Sequence, residues 1–211
     1  MPVAGADLGI NLYMAGGGRY RRRRFGVLAA GDVVTRKAHQ PHVQSRDYNQ
    51  LNGGIERWLM PVDDAVTANV VAQGLLRCCT AVFDRASPAD AAASFWHIEM
   101  HQFRIEATSK ELGARTPEGA HRDGVDWVCV MLIDRTNVTS RIMQIFDPEG
   151  RPLGEFTVTD PLDTVFLNDR RVFYSVAPIA PLDQAGKACR DVLVLTHCRE
   201  RDCVGEGPQS G

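Results

Sequence analysis

The chain has 211 residues, of which 44% are hydrophobic and 24% are charged, and its formal net charge is -2. This composition predicts one soluble globular domain with a substantial core, and the charge argues against a dedicated nucleic-acid binder. No apolar run approaches the ~18 residues that span a bilayer, and the first residues lack the pattern of a signal peptide. We therefore predict a cytoplasmic protein with reduced cysteines and no membrane partner.

The first segment, residues 1–18, is rich in Gly and Ala, and we expect it to be loosely ordered. A single domain is predicted over 19–200, followed by a flexible tail at 201–211. The domain begins with RYRRRRFGVLAA, which can be a phosphate-binding patch or an edge strand whose alternate arginines pair with acidic groups. The strand is favoured because no wider basic stripe surrounds the arginines.

Helical spacing of apolar residues follows over 63–86, and Asp63 and Asp64 at its front suit a helix N-terminus. A short second helix is predicted through SPADAAASF, with Ser87 as its cap and Pro88 in its first turn.

From residue 96 onward the pattern becomes one of short strands separated by Gly, Pro and Asp turns. Strands are predicted at 96–107, 125–133, 141–147, 153–158, 164–167, 171–177 and 190–196. A helical layer followed by such strands predicts a mainly β protein with flanking helices (α+β), built as an antiparallel sandwich or jelly roll.

The stretch TPEGAHRDGVDW places His121 and Asp123 two residues apart, just before an apolar strand. In a strand these two side chains point to the same face, and an imidazole beside a carboxylate suits a divalent metal with open coordination positions. The pattern is short, and an ordinary polar strand end remains open on this observation alone.

Arg190 opens the apolar strand RDVLVLT. A buried guanidinium needs a partner, and its planar fork suits the carboxylate of a bound acid. An ion pair within the protein is the alternative.

Three stretches, in this order and spacing, carry a family resemblance: TPEGAHRDGVDWV, PLDTVFLNDRRVFYSVAPI and RDVLVLT. They closely resemble the Fe(II)/2-oxoglutarate-dependent dioxygenases that hydroxylate free amino acids, in particular the isoleucine 4-hydroxylase group. YRRRRF, YNQLNGGIERWLMPV and HQFRI are similar as well, so the resemblance covers about residues 19–198.

The resemblance implies a double-stranded β-helix (jelly-roll) core and an iron site formed by His, Asp and a distal His. It makes His121 and Asp123 iron ligands, and it makes Arg190 the anchor for the distal carboxylate of 2-oxoglutarate. The implied reaction oxidises, most simply hydroxylates, an unactivated C–H of a free amino acid, with O₂ as the other reactant and succinate as a product.

This chain departs from the family at the distal ligand, because RVFYSVAPI carries Tyr174 where the pattern has His. A phenol has a reference pKa near 10 and ligates well only as phenolate. Tyr174 can therefore bind the metal as phenolate, move aside and leave two protein ligands, or mark a protein that binds a small acid without turnover.

Other residues were assigned by strand alternation and charge. His197 falls on the strand face opposite Arg190, and His97 and His101 share the face of 96–107 opposite Gln102 and Arg104. The resemblance favours the face with Gln102 and Arg104 for the pocket. Arg104 is then a candidate for the substrate carboxylate and Glu118 for its ammonium group, and each can equally well be structural.

Overall fold

The computed structural model describes residues 8–11, 13, 20–49, 53–88, 95–108, 119–139, 142–184 and 186–199. Its elements, in chain order, are β1 (Arg21–Ala30), β2 (Val34–Arg36), β3 (Met60–Pro61), α1 (Asp64–Thr67), α2 (Val70–Ala86), β4 (Trp96–Ala107), β5 (Trp127–Thr136), β6 (Ile142–Phe146), β7 (Pro152–Thr157), β8 (Thr164–Asn168), β9 (Phe173–Val176) and β10 (Ala188–Arg199). In the described residues no helix is long and apolar enough to cross a membrane.

The larger sheet has the strand order β2-β1-β4-β10-β5-β8. The short strand β3 also belongs to this sheet and pairs with β1 outside this order. Its long central strands are antiparallel, and β4 pairs with β1 and β10 without a register shift. Because alternation is unbroken along β4, each of its side chains can be assigned to one face of the sheet.

The smaller sheet has the order β7-β6-β9. It is extended by an antiparallel bridge in which His121 and Tyr174 exchange both backbone hydrogen bonds, each 3.0 Å long. The two sheets form the predicted β-rich jelly roll, and His121 lies at the edge of the smaller one.

One face of the larger sheet packs against α2. Leu76, Cys79 and Phe83 of the helix form a core cluster with Ile98 and Met100 of β4. The opposite face is turned toward the interior of the jelly roll, where Val194 packs against the cluster that contains Tyr174.

The helical segment differs from the prediction of one helix over 63–86. The helix is interrupted after α1, where Asn69 adopts an extended conformation. Its side chain accepts a hydrogen bond from the Val71 amide, 2.9 Å away. Asn is among the preferred N-cap residues, so α2 starts at its own cap. Ser87 ends α2 in an extended conformation, and most of the helix predicted at 87–95 falls on residues 89–94, which lie outside the described residues.

The strand predictions are close to the structure, and β4 spans the predicted 96–107. Within the segment 1–18, which was expected to be loosely ordered, Ile10 forms a bridge with Arg22 and Leu8 is buried. The prediction that all six cysteines are reduced is also wrong, since Cys198 is disulfide-bonded.

Candidate functional site

The candidate metal site is formed where the segment before β5 meets β9. Tyr174 donates its hydroxyl hydrogen to Asp123 Oδ2, with 2.6 Å between the oxygens, and its ring centroid lies 4.8 Å from that of His121. The fold therefore brings together His121, Asp123 and Tyr174, the three residues that the sequence placed at the iron site.

His121 and Asp123 retain atoms that can bind a cation. His121 Nδ1 lies 3.2 Å from the Gly119 carbonyl oxygen, so Nδ1–H is the donor and Nε2 keeps a lone pair. Histidine ligands commonly have their second nitrogen held in this way. Asp123 accepts from Tyr174 through one oxygen, which leaves the other for coordination, and this N,O donor pair suits ferrous iron.

Tyr174 does not fit as a third ligand in this arrangement. It is only 6% exposed, and burial, followed by the charge of Asp123 and the hydrogen bond to it, raises the pKa of its phenol well above the usual range. The phenol therefore keeps its proton and uses it to hold Asp123.

Asp169 holds the metal-site segment in place. Its carboxylate accepts three backbone hydrogen bonds, from Asp123 (3.0 Å), Gly124 (2.8 Å) and Val125 (3.0 Å). Gly124 has a φ of +83°, and a Cβ there would lie 2.4 Å from the Tyr48 ring, so a side chain at this position is excluded. Sequence reasoning missed Asp169, because nothing local marks a carboxylate 46 residues from the segment it binds.

Arg190 lies on the interior face of β10, in the same cross-strand row as Ile105 and Arg21. Its Nε is buried without a hydrogen-bond partner, and its guanidinium forms no ion pair with any residue in the described part of the chain. Burial, followed by the charges of Arg135 and Arg21, lowers the pKa of Arg190 to about 10. A cation held in this way is suited to an incoming anion such as the distal carboxylate of 2-oxoglutarate.

The predicted pocket face of β4 is wrong. Arg104 is paired across β10 with Asp191 through two hydrogen bonds of 2.7 and 2.6 Å. Arg190, the neighbour of Asp191, faces the opposite side, toward the interior. Arg104 is therefore a structural ion-pair residue, and its guanidinium is not available for a substrate carboxylate.

Gln102 shares the face of Arg104, and its Oε1 is buried without a hydrogen-bond partner among the described residues. It also cannot line the interior. His101 instead lies on the interior face with Phe103, while His197 lies on the helix side against Phe83, as predicted. Glu118 lies outside the described residues.

Side chains from two segments form a second, largely buried cluster, which we call the histidine cluster: His42 from the loop after β2, and Glu99 and His101 from β4. Their ligand atoms lie within 4.8 Å of one another. Arg23 Nη2 lies 2.7 Å from His101 Nδ1. The sequence contains a signal for the position of Arg23, because alternation along the four arginines places Arg21 and Arg23 on one face of the strand and Arg22 and Arg24 on the other.

A jelly roll with His121 and Asp123 on one segment and Arg190 on a late strand is the arrangement that the resemblance to the Fe(II)/2-oxoglutarate oxygenases implied. Comparison with known proteins agrees with this class. The model of the 2OG-Fe dioxygenase family matches residues 4–196, and the chain belongs to that family.

Two functionally named proteins are similar in sequence. The chain is 25% identical over 156 residues to L-isoleucine-4-hydroxylase of Bacillus thuringiensis and 25% identical over 160 residues to 3(1)-hydroxy-L-isoleucine 4-dioxygenase of Pantoea ananatis (strain AJ13355). Each match covers 74% of this chain, and the chain spans 64% and 63% of the length of these relatives.

A solved structure is closer in sequence. The crystal structure of a bsmA homolog from Methylobium petroleophilum PM1 has 36% identity and a TM-score of 0.82, covering 92% of this chain and 77% of that one. The similarity extends over most of the jelly roll described above.

Proposed function

We propose that the protein is an Fe(II)/2-oxoglutarate-dependent oxygenase that oxidises, most simply hydroxylates, a C–H bond of a free L-amino acid or a close derivative. The observation that carries the proposal is the presence of two features in one jelly roll. His121 and Asp123 retain free ligand atoms, and the buried Nε of Arg190 has no hydrogen-bond partner among the described residues. The relatives named L-isoleucine-4-hydroxylase and 3(1)-hydroxy-L-isoleucine 4-dioxygenase support the substrate class.

In this proposal His121 and Asp123 hold the iron, and Arg190 binds the distal carboxylate of 2-oxoglutarate. Iron and 2-oxoglutarate, when bound, supply the oxidising chemistry, with O₂ consumed and succinate released. The protein's own residues position the reactants and exclude water. Phe103, Val192 and Val194 supply apolar surface on the interior face between Arg190 and Tyr174.

A second candidate function is the binding of a small acid without turnover. The hydrogen bond from Tyr174 to Asp123 favours it, because a protonated phenol at the distal position leaves the metal with only two protein ligands. The two candidates differ in whether bound 2-oxoglutarate is consumed.

The test mixes the purified protein with Fe(II), 2-oxoglutarate and a panel of free L-amino acids, and measures succinate and the mass of the products. We expect substrate-dependent succinate release, and we expect His121→Ala and Asp123→Ala each to abolish iron retention and turnover. His39→Ala, which removes an exposed histidine, is the matched control and should retain both. Full activity in either ligand variant contradicts the oxygenase, and 2-oxoglutarate binding without succinate release supports the second candidate.

A further inference from the structure

Arg23 is a buried cation whose guanidinium forms no direct ion pair with a carboxylate among the described residues. The residue is 6% exposed, and the only hydrogen bond that its side chain makes with the described residues is the one to His101 Nδ1, 2.7 Å long. Its Nε is buried without a partner. The neighbours in the arginine run differ, because Arg22 pairs with Glu106 and Arg24 with Asp63 on the other face of β1.

The histidine cluster holds the guanidinium of Arg23 in place. Arginine can only donate, so His101 Nδ1 is the acceptor and His101 Nε2 carries the ring hydrogen, directed at Glu99 Oε2 3.4 Å away. His42 Nδ1 approaches the same carboxylate at 3.0 Å. Burial opposes the ionisation of Glu99, but His42 and His101 outweigh it and hold its pKa well below the usual range.

These hydrogen bonds argue against a second metal ion in the cluster. A ligand role for His101 would require the Nε2 lone pair, yet Arg23 fixes the tautomer in which that nitrogen is protonated. Arg23 would also place a second positive charge next to the metal. The cluster is therefore better suited to orienting Arg23 than to binding a cation.

The charges around Arg23 favour an anion. Burial, followed by the charges of Arg21 and Arg57, lowers its pKa well below the usual range. The Arg21 and Arg23 guanidinium carbons lie 4.1 and 4.8 Å from the centroid of the Phe103 ring. Asp123 also acts on the pKa of Arg23, which places this cation within electrostatic range of the candidate iron ligands.

Arg23 and Arg190 are separate positions on one interior face. Arg190 shares a cross-strand row with Arg21, and Arg23 lies in the next row with Phe103 and Val192. With strands about 4.8 Å apart and about 3.4 Å per residue, the backbones of Arg23 and Arg190 are about 12 Å apart. One 2-oxoglutarate carboxylate at Arg190 therefore leaves Arg23 for a different anion.

We propose that Arg23 binds the carboxylate of the substrate and that the histidine cluster positions its guanidinium for this contact. The substrate class is then a free carboxylic acid, such as an unmodified amino acid, and not an amide, an ester or a residue within a peptide. This inference rests on the proposed function, because it takes the second reactant to be the molecule that is oxidised.

The experiment measures equilibrium binding without O₂, with Fe(II) and 2-oxoglutarate present. Each of the free L-amino acids is titrated, and the tightest binder is compared with its own carboxamide. We expect the wild-type protein to bind the acid about 10- to 150-fold more tightly than the amide, the range for a charge-assisted contact. Arg23→Gln should bind acid and amide equally, and Arg23→Lys should fall between the two proteins.

Arg22→Gln is the matched control, because it removes the same charge one residue away on the opposite face, and it should keep the preference for the acid. 2-Oxoglutarate affinity should change less than about twofold in Arg23→Gln, which is much less than the loss of one charge-assisted contact would cause. The proposal is overturned if the wild-type protein does not distinguish acid from amide, if no amino acid binds, or if Arg23→Gln keeps the preference or loses 2-oxoglutarate instead.

Failure of the proposed function gives a different result. Binding with the expected preference but no succinate release in the presence of O₂ would contradict the oxygenase and leave the role of Arg23 in place. Succinate release with no acid-over-amide preference would contradict only the role of Arg23.

Discussion

At the scale of a single residue, Tyr174 is the position where the candidate metal site departs from the family pattern. Its phenol hydrogen is given to Asp123 at 2.6 Å, so the aspartate is oriented by a neutral donor where the family pattern has an imidazole ligand. The same hydrogen bond occupies one of the two oxygens of Asp123, so that carboxylate is left with a single free oxygen for a metal.

Replacing Tyr174 tests this description. Tyr174→His should tighten Fe(II) binding, because a neutral imidazole ligates without first losing a proton. We expect a gain of at least about tenfold, which is the lower end of the contribution that residues hydrogen-bonded to metal ligands make to metal affinity. Tyr174→Phe, which removes the hydroxyl and keeps the ring, is the control and should not tighten binding. Titration of Fe(II) without O₂ measures both, and an unchanged affinity in Tyr174→His would show that position 174 does not face the metal.

At the scale of the element, β4 shows why the strands were predictable and the pocket face was not. Its residues alternate between the helix side, with Ile98 and Met100, and the interior, with His101 and Phe103. A strand covered on both sides has little polar contrast between its faces. The period of two fixed which residues share a face, and only the packing of α2 decided which face lies inside.

The packing of β10 against α2 makes the stability depend on pH. His197 is fully buried and its ring lies against Phe83 and Trp96. Burial lowers the pKa of His197 to about 3 from its usual 6.5. The folded protein therefore resists a proton that the unfolded chain accepts, and stability falls as the pH drops from 6.5 toward 3.

We expect this one residue to account for about 2 kcal/mol of the stability lost between pH 7 and pH 5. His197→Phe keeps an aromatic ring in the core and removes the titration. The decrease in its free energy of unfolding from pH 7 to pH 5 should therefore be about 2 kcal/mol smaller than the decrease in the wild-type protein. Denaturant unfolding at the two pH values measures the difference. Identical pH dependence in the two proteins would contradict the assignment.

At the scale of the whole molecule, a chain of net charge -2 carries positive charge inside its jelly roll. Arg23, on the interior face of β1, is 6% exposed, and Arg24, on the opposite face, is 7% exposed. The run was predicted as a strand, and it is one. That two of its arginines face the interior follows from the pairing of β1 with β4, a contact about 80 residues away along the chain that local sequence patterns do not reveal.

The candidate site, like the arginine strand, was predictable in its residues but not in its long-range contacts. The family resemblance implied the roles of His121, Asp123, Tyr174 and Arg190, and the structure places Tyr174 against both His121 and Asp123. Arg104 was assigned from its charge and from the strand face that the resemblance favoured, and its pairing with Asp191 depends on the register between β4 and β10. The histidine cluster joins His42 to Glu99 and His101 of β4, and no local pattern indicates this contact between positions 57 residues apart.

The central claim, that the interior holds 2-oxoglutarate through Arg190 beside His121 and Asp123, is tested most directly by titrating 2-oxoglutarate into the Fe(II)-loaded protein without O₂. Arg190→Gln should weaken binding by about 10- to 150-fold, the loss of a charge-assisted contact. Arg104→Gln removes the same charge from the other face of the sheet and should leave the affinity unchanged in protein verified as folded. An unchanged affinity in Arg190→Gln, or an equal loss in both variants, would contradict the account.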